Sequence, residues 1–138
     1  MIVRAARSSK GATWCGPHAL ATVTGKTYDE VIEVVRKRIK RKRIKGMFSH
    51  EMYYSAKALG VKDMGVFMPS RGKRNLRNLM DWLKPNRLYI IFVTGHFVTV
   101  NTKDWTVCDN CNDWHPVATS KLGRKRVISY AEVRRIED

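Results

Sequence analysis

The sequence predicts an α+β domain in which N-terminal helices pack on a mainly antiparallel C-terminal β-sheet. Three observations carry that prediction. Apolar residues recur at helical spacing through the first half of the chain, as in Val31, Ile32, Val35 and Ile39. β-Branched and aromatic runs fill the second half, at Arg87–Val93, His96–Asn101 and Trp105–Asp109. The links between those runs are of hairpin length, and hairpins build antiparallel sheets. The chain has 138 residues, 43 % of them apolar, which suits one domain over 1–138 with a packed core.

The N-terminal stretch Met1–Lys10 is basic and lacks the apolar run of a secretory signal, and no run approaches a membrane span of roughly 18 residues. The expectation is a protein of the cytoplasm. Residues 11–25 read as a loop entering a short helix: Pro17 is tolerated in a first turn, Ala19, Leu20, Ala21 and Val23 are small or apolar, and Gly25 ends it. Thr27-Tyr-Asp-Glu30 is a capping box for a second helix from about 28 to 40, which Ile44 extends if the pattern continues. Ser49 is the expected N-cap of a third helix through Leu59, closed by Gly60, with Met52, Ala56 and Leu59 inward. Val61–Met68 is a short strand or extended segment. A basic turn, Ser70–Arg74, precedes a fourth helix with Leu76, Leu79, Met80 and Leu83, stopped by Pro85. A last strand covers Lys125–Ile128, and Ser129–Glu132 either caps a helix or continues that strand.

Charge is the extreme property. Lys and Arg total 27 against 12 Asp and Glu, a formal +15, and such a field favours polyanions as partners. Arg36, Lys37, Arg38, Lys40, Arg41, Lys42, Arg43 and Lys45 form one run, either a phosphate-tracking stripe or a solvated helix end with cations suited to its dipole. Zinc-finger spacing, RNP-like aromatics and heptads are all absent from the sequence. Oligomeric state is not legible, because no exposed apolar stripe stands out.

Cys15 falls at the start of the first helix, where unpaired N–H groups and the helix dipole lower a thiol's pKa. The plain alternative is a small buried residue. In the hairpin from 96 to 109, a two-residue loop (102–103) or a four-residue loop (101–104) sets Trp105 opposite Val100, Val107 opposite Val98 and Asp109 opposite His96. Imidazole and carboxylate then meet at the rim of an apolar face, for which the Cys15 helix is a candidate cover. An odd shift of register would separate them.

Cys15-Gly16-Pro17-His18-Ala19-Leu20 at a helix start, then Gly95-His96-Phe97-Val98-Thr99-Val100, then Val107-Cys108-Asp109-Asn110, resembles the papain-like cysteine peptidases. The nearest likeness is to small bacterial and phage-encoded members related to the C39 bacteriocin-processing group, over roughly residues 9–135. The resemblance implies a hydrolase that cuts a peptide, isopeptide or related amide bond through a thioester. Cys15 would be the nucleophile, His96 the base and then acid, and Asp109 the group orienting His96. The Cys15 backbone N–H would supply half of the oxyanion hole.

The chain departs from the family in having no Gln, which the family places about six residues before the cysteine. Ser9 holds that position and Thr13 lies near; either hydroxyl is a substitute donor. The alternative function is an inactive scaffold of the same fold, acting as a basic module that binds nucleic acid or an acidic protein. Trp14, His18 and Gly95 are the candidate cleft residues. Three cysteines make no disulfide framework. Cys108 and Cys111 with Asp113 and His115 resemble part of a zinc site, but the second ligand pair is missing, so neither metal nor cofactor is expected.

Overall fold

A computed structural model describes residues 14–40, 44, 46–72 and 74–136. Among these residues the architecture is α+β, with four helices ahead of most of a six-stranded antiparallel sheet. The helices are α1 (Cys15–Thr24), α2 (Tyr28–Ile39), α3 (Ser49–Ala58) and α4 (Leu76–Leu79). The strands are β1 (Met68–Pro69), β2 (Arg87–Val93), β3 (His96–Asn101), β4 (Thr106–Cys108), β5 (His115–Pro116) and β6 (Val127–Arg135), in the spatial order β1-β6-β2-β3-β4-β5. No described helix is long and apolar enough to cross a membrane.

The alternation of β2 explains the layering. Leu88 and Ile90 face one way, joining Phe97, Ala131 and Val133 in a core shared with α1, α2 and α3. Tyr89, Ile91 and Val93 face the other way, joining Val98, Val100 and Val107 beneath Leu76, Leu79, Leu83, Val117 and Leu122. The sheet is thus buried on both faces. α1 lies deepest: Ala19, Leu20, Ala21 and Val23 are all at most 1 % exposed. Gly25 ends it at φ 74, its N–H closing on the Ala21 carbonyl.

Several boundaries differ from expectation. α2 stops at Ile39 because Lys40 adopts φ 54, so Ile44 lies beyond the helix although it is fully buried in the core. The Thr27 cap forms, its Oγ accepting the Glu30 N–H at 3.1 Å. α3 begins at Ser49 with Phe48 as N-cap, because the Glu51 carboxylate takes the Phe48 N–H at 2.8 Å. Residues 61–67 have no regular structure, and the strand there shrinks to Met68–Pro69. The fourth helix is one turn, followed by a 3₁₀ turn over Met80–Trp82. Ser129–Glu132 continues the last strand.

The hairpin register is also corrected. Thr99 pairs with Cys108, Val100 with Val107 and Asn101 with Thr106. Asn101 stays in the strand, its Oδ1 accepting the Lys103 N–H at 2.9 Å, and the turn runs on to Trp105 at φ 58. Trp105 therefore does not face Val100, nor Val107 face Val98. The cover is corrected too: α4 and the 3₁₀ turns lie over the Val98–Val100 face, while α1 lies on the opposite face with Phe97.

Candidate active site

α1 presents Cys15 from its first residue, half-buried, after a Trp14 N-cap whose N–H donates to the Tyr28 hydroxyl at 3.1 Å. The first N–H groups of an α-helix have no intrahelical acceptor. Here they belong to Cys15 and Gly16; Pro17 has none, and the His18 N–H is the first to close a helical bond, to the Trp14 carbonyl at 3.2 Å.

β2 and β3 are joined by Thr94 and Gly95, and Gly95 takes φ 70, a conformation open to glycine without cost. His96 follows as the first residue of β3. Its Nε2 lies 2.8 Å from Asp109 Oδ2, and its side chain also hydrogen-bonds to Cys15. The next backbone N–H, of Phe97, points at Cys15 Sγ at 3.4 Å.

Asp109 arrives by a route the sequence did not show. It is not paired across the strands with His96 but stands just past the end of β4, in a turn closed by its own N–H on the Asn112 carbonyl. Its Oδ1 accepts the N–H groups of Cys111 at 3.0 Å and Asn112 at 2.7 Å, and the Asn112 side-chain amide at 3.0 Å. That leaves Oδ2 for the imidazole. Asp109 is 6 % exposed.

The electrostatics follow from this wiring. For Cys15, burial raises the thiol pKa, but the His96 hydrogen bond, the Phe97 N–H and the imidazole charge together bring it below the ordinary 9.0. His96 is raised to about 9, first by Asp109 and then by Cys15, against desolvation. Burial opposes ionisation of Asp109, yet His96 and the amides of residues 111 and 112 hold it at about 2. Near neutrality the imidazolium and the carboxylate are therefore the favoured forms, and beside them the Cys15 thiol gives up its proton more readily than an ordinary cysteine.

A cleft of about 570 Å³ opens over Cys15 and His96. Trp14 and Gly95 line it as expected, whereas His18 is buried within α1 and does not. Its largely apolar wall includes Ile44, Met47, Phe48, Phe92 and Phe97. None of these was singled out for the site in the sequence, because Phe92 and Phe97 read as ordinary strand residues and Ile44, Met47 and Phe48 fall in a connection between helices. Exposure supplies the missing signal: Phe48 is 61 % exposed at the mouth. Gly16 lines the floor, where a Cβ would sit 3.0 Å from Met47 Sδ.

Ser9 and Thr13, the candidate oxyanion donors, lie outside the described residues, as do Arg41, Lys42, Arg43 and Lys45 of the basic run. Arg36, Lys37 and Arg38 are exposed on the last turn of α2, with Lys40 at its cap. The Arg38 guanidinium sits 5.6 Å from the Tyr54 ring centre. Cys108 is fully buried, its thiol pKa pushed up by burial, and Cys111 is exposed. No cluster of three or more His, Cys, Asp or Glu side chains placed to hold a metal occurs among the described residues. The chain matches no protein-family model, no curated protein and no solved structure.

Proposed function

We propose that the chain is a papain-like cysteine hydrolase that cleaves a peptide, isopeptide or related amide bond. The observation that supports this most is the convergence of Cys15, His96 and Asp109 from separate elements, with Cys15 and His96 lining one cleft and Asp109 buried against the imidazole. Each has the partner its role needs. A buried thiol with no chemistry to perform has no use for an imidazole and an aimed N–H.

The proposed reaction runs in two halves. The Cys15 thiolate attacks the scissile carbonyl carbon and the carbonyl π pair moves to oxygen. The N–H groups of Cys15 and Gly16 stand at the helix start, where the dipole favours the developing oxyanion. His96 gives its proton to the leaving amine, the C–N bond breaks, and an acyl thioester remains on Cys15. His96, now neutral, takes a proton from water, the hydroxide oxygen attacks the thioester, and collapse releases the acid with a new thiolate. Asp109 keeps the ring in the tautomer that places its basic nitrogen toward sulfur. A thiol nucleophile in a chain whose three cysteines are all free suits a reducing compartment such as the cytoplasm, of the bacterial host if the chain is phage-encoded.

Incubation with a complex peptide mixture, with cleavage mapped by mass spectrometry, tests the proposal. Cleavage abolished by Cys15→Ala supports it; no cleavage, or cleavage that persists in that variant, removes it. The second reading, a scaffold without catalysis that binds acidic partners, draws on exposed Arg36, Lys37, Arg38 and Lys40. Salt-dependent binding lost on replacing those four, with no cleavage, favours that reading instead.

A further inference from the structure

We infer that the surface built from Arg71, residues 74–77, Trp82 and residues 124–126 binds single-stranded nucleic acid beside the candidate active site. Two segments far apart in sequence are stitched together here. Val127 N–H donates to the Arg74 carbonyl at 2.9 Å, Leu76 N–H to the Lys125 carbonyl at 2.9 Å, and Asn75 bridges to Arg126. The stitching gathers Arg71, Arg74, Arg77, Arg124, Lys125 and Arg126 on one surface. All are exposed except half-buried Arg74. Stretches 70–84 and 121–128 contain a single carboxylate, Asp81, and none of these six cations makes an ion pair among the described residues. Unpaired cations gathered at this density repel one another and leave a polyanion's charge to answer.

Trp82 identifies which polyanion. It is 64 % exposed in its 3₁₀ turn, and the Arg74 guanidinium lies 4.0 Å from its ring centre. An exposed indole with a guanidinium plane against it is a stacking platform, and cations around it track a phosphate backbone. Bases in a duplex are already stacked on each other, so the platform favours single strands. An acidic protein would use the cations but has no need of the indole.

The surface also adjoins the cleft. The Thr94 N–H donates to the Arg126 carbonyl at 3.0 Å, and the next residue, Gly95, lines the cleft wall. A strand that runs from Trp82 past Arg126 would reach the Gly95 edge of the cleft.

Fluorescence anisotropy of a labelled thymidine oligonucleotide with the full chain tests this, with a duplex of equal length and polyglutamate as comparators. The expected result is binding that weakens with salt and is tighter for the single strand than for the duplex. Trp82→Ala should weaken it about tenfold or more, with Trp82→Phe restoring much of the loss. Arg74→Ala with Arg126→Ala should flatten the salt dependence, since fewer counterions are released. Trp82→Ala should leave Cys15 alkylation unchanged, which separates this surface from the catalytic proposal. Equal affinity of Trp82→Ala and wild type for the oligonucleotide overturns the inference. So does equal binding of polyglutamate, which assigns the surface to acidic proteins.

Discussion

The 2.8 Å contact between His96 Nε2 and Asp109 Oδ2 assigns both nitrogens of the ring. A carboxylate held at about 2 can only accept, so Nε2 carries a proton toward it and Nδ1 is left for Cys15. Asp109→Asn tests that division. Asparagine keeps an oxygen for the amides of Cys111 and Asn112 but removes the charge that holds His96 up. The His96 pKa, followed by NMR, should fall from about 9 toward 6.5, and Cys15 alkylation near neutral pH should slow roughly tenfold or more as the imidazolium is lost. An unchanged His96 titration would show that the carboxylate only braces the turn.

Stability should respond to pH on both sides. His96 has a folded pKa of about 9 against an ordinary 6.5, so its contribution is complete below 6.5 and lost as pH rises through 9. Asp109, at about 2 against 3.8, contributes above 3.8 and loses that contribution as pH falls toward 2. Thermal melts should show a plateau between about 4 and 6.5 that His96→Ala flattens on the alkaline side. A fall on the alkaline side that the variant leaves untouched would assign it to other groups.

The fold was largely legible because its signals are local. Helical spacing gave α2 and α3, and Gly25 and Gly60 marked where helices end. β-Branched runs gave β2 and β3 to the residue. The Cys15, His96 and Asp109 cluster was legible only as a set of residues, not as geometry. The hairpin turn rests on Trp105 at φ 58, which no turn propensity announces for a tryptophan. Which sheet face α1 covers depends on how two apolar faces are shared between helices, and both faces of β2 are equally apolar. The cleft wall stayed hidden because Ile44, Met47 and Phe48 sit in a connection between helices, where apolar residues carry no periodicity.

Gly16 ties helix packing to the cleft. A Cβ there would stand 3.0 Å from Met47 Sδ and 3.2 Å from Met52 Sδ, closer than packed atoms usually approach. Gly16→Val should destabilise the fold by about 1–3 kcal/mol through overpacking, with Gly16→Ala milder because methionine side chains yield. Chemical denaturation checks this. A valine variant as stable as wild type would mean the two methionines move freely.

Phe48 should matter to binding and not to folding, since it is mostly exposed yet lines the cleft. Phe48→Ala should leave the melting temperature nearly unchanged. It should weaken the reversible step of inactivation by a phenylalanyl chloromethyl ketone severalfold, while the rate at saturation holds. A fall in the saturating rate alone would contradict that role.

The most direct test compares how fast iodoacetamide labels each cysteine at neutral pH, read by peptide mass spectrometry. Access alone favours exposed Cys111, and Cys108 is buried. Thiolate character alone favours Cys15. Triad chemistry predicts Cys15 labelled first and by a wide margin, an advantage that His96→Ala erases. Cys111 labelled faster than Cys15, or a Cys15 rate indifferent to His96→Ala, would contradict it.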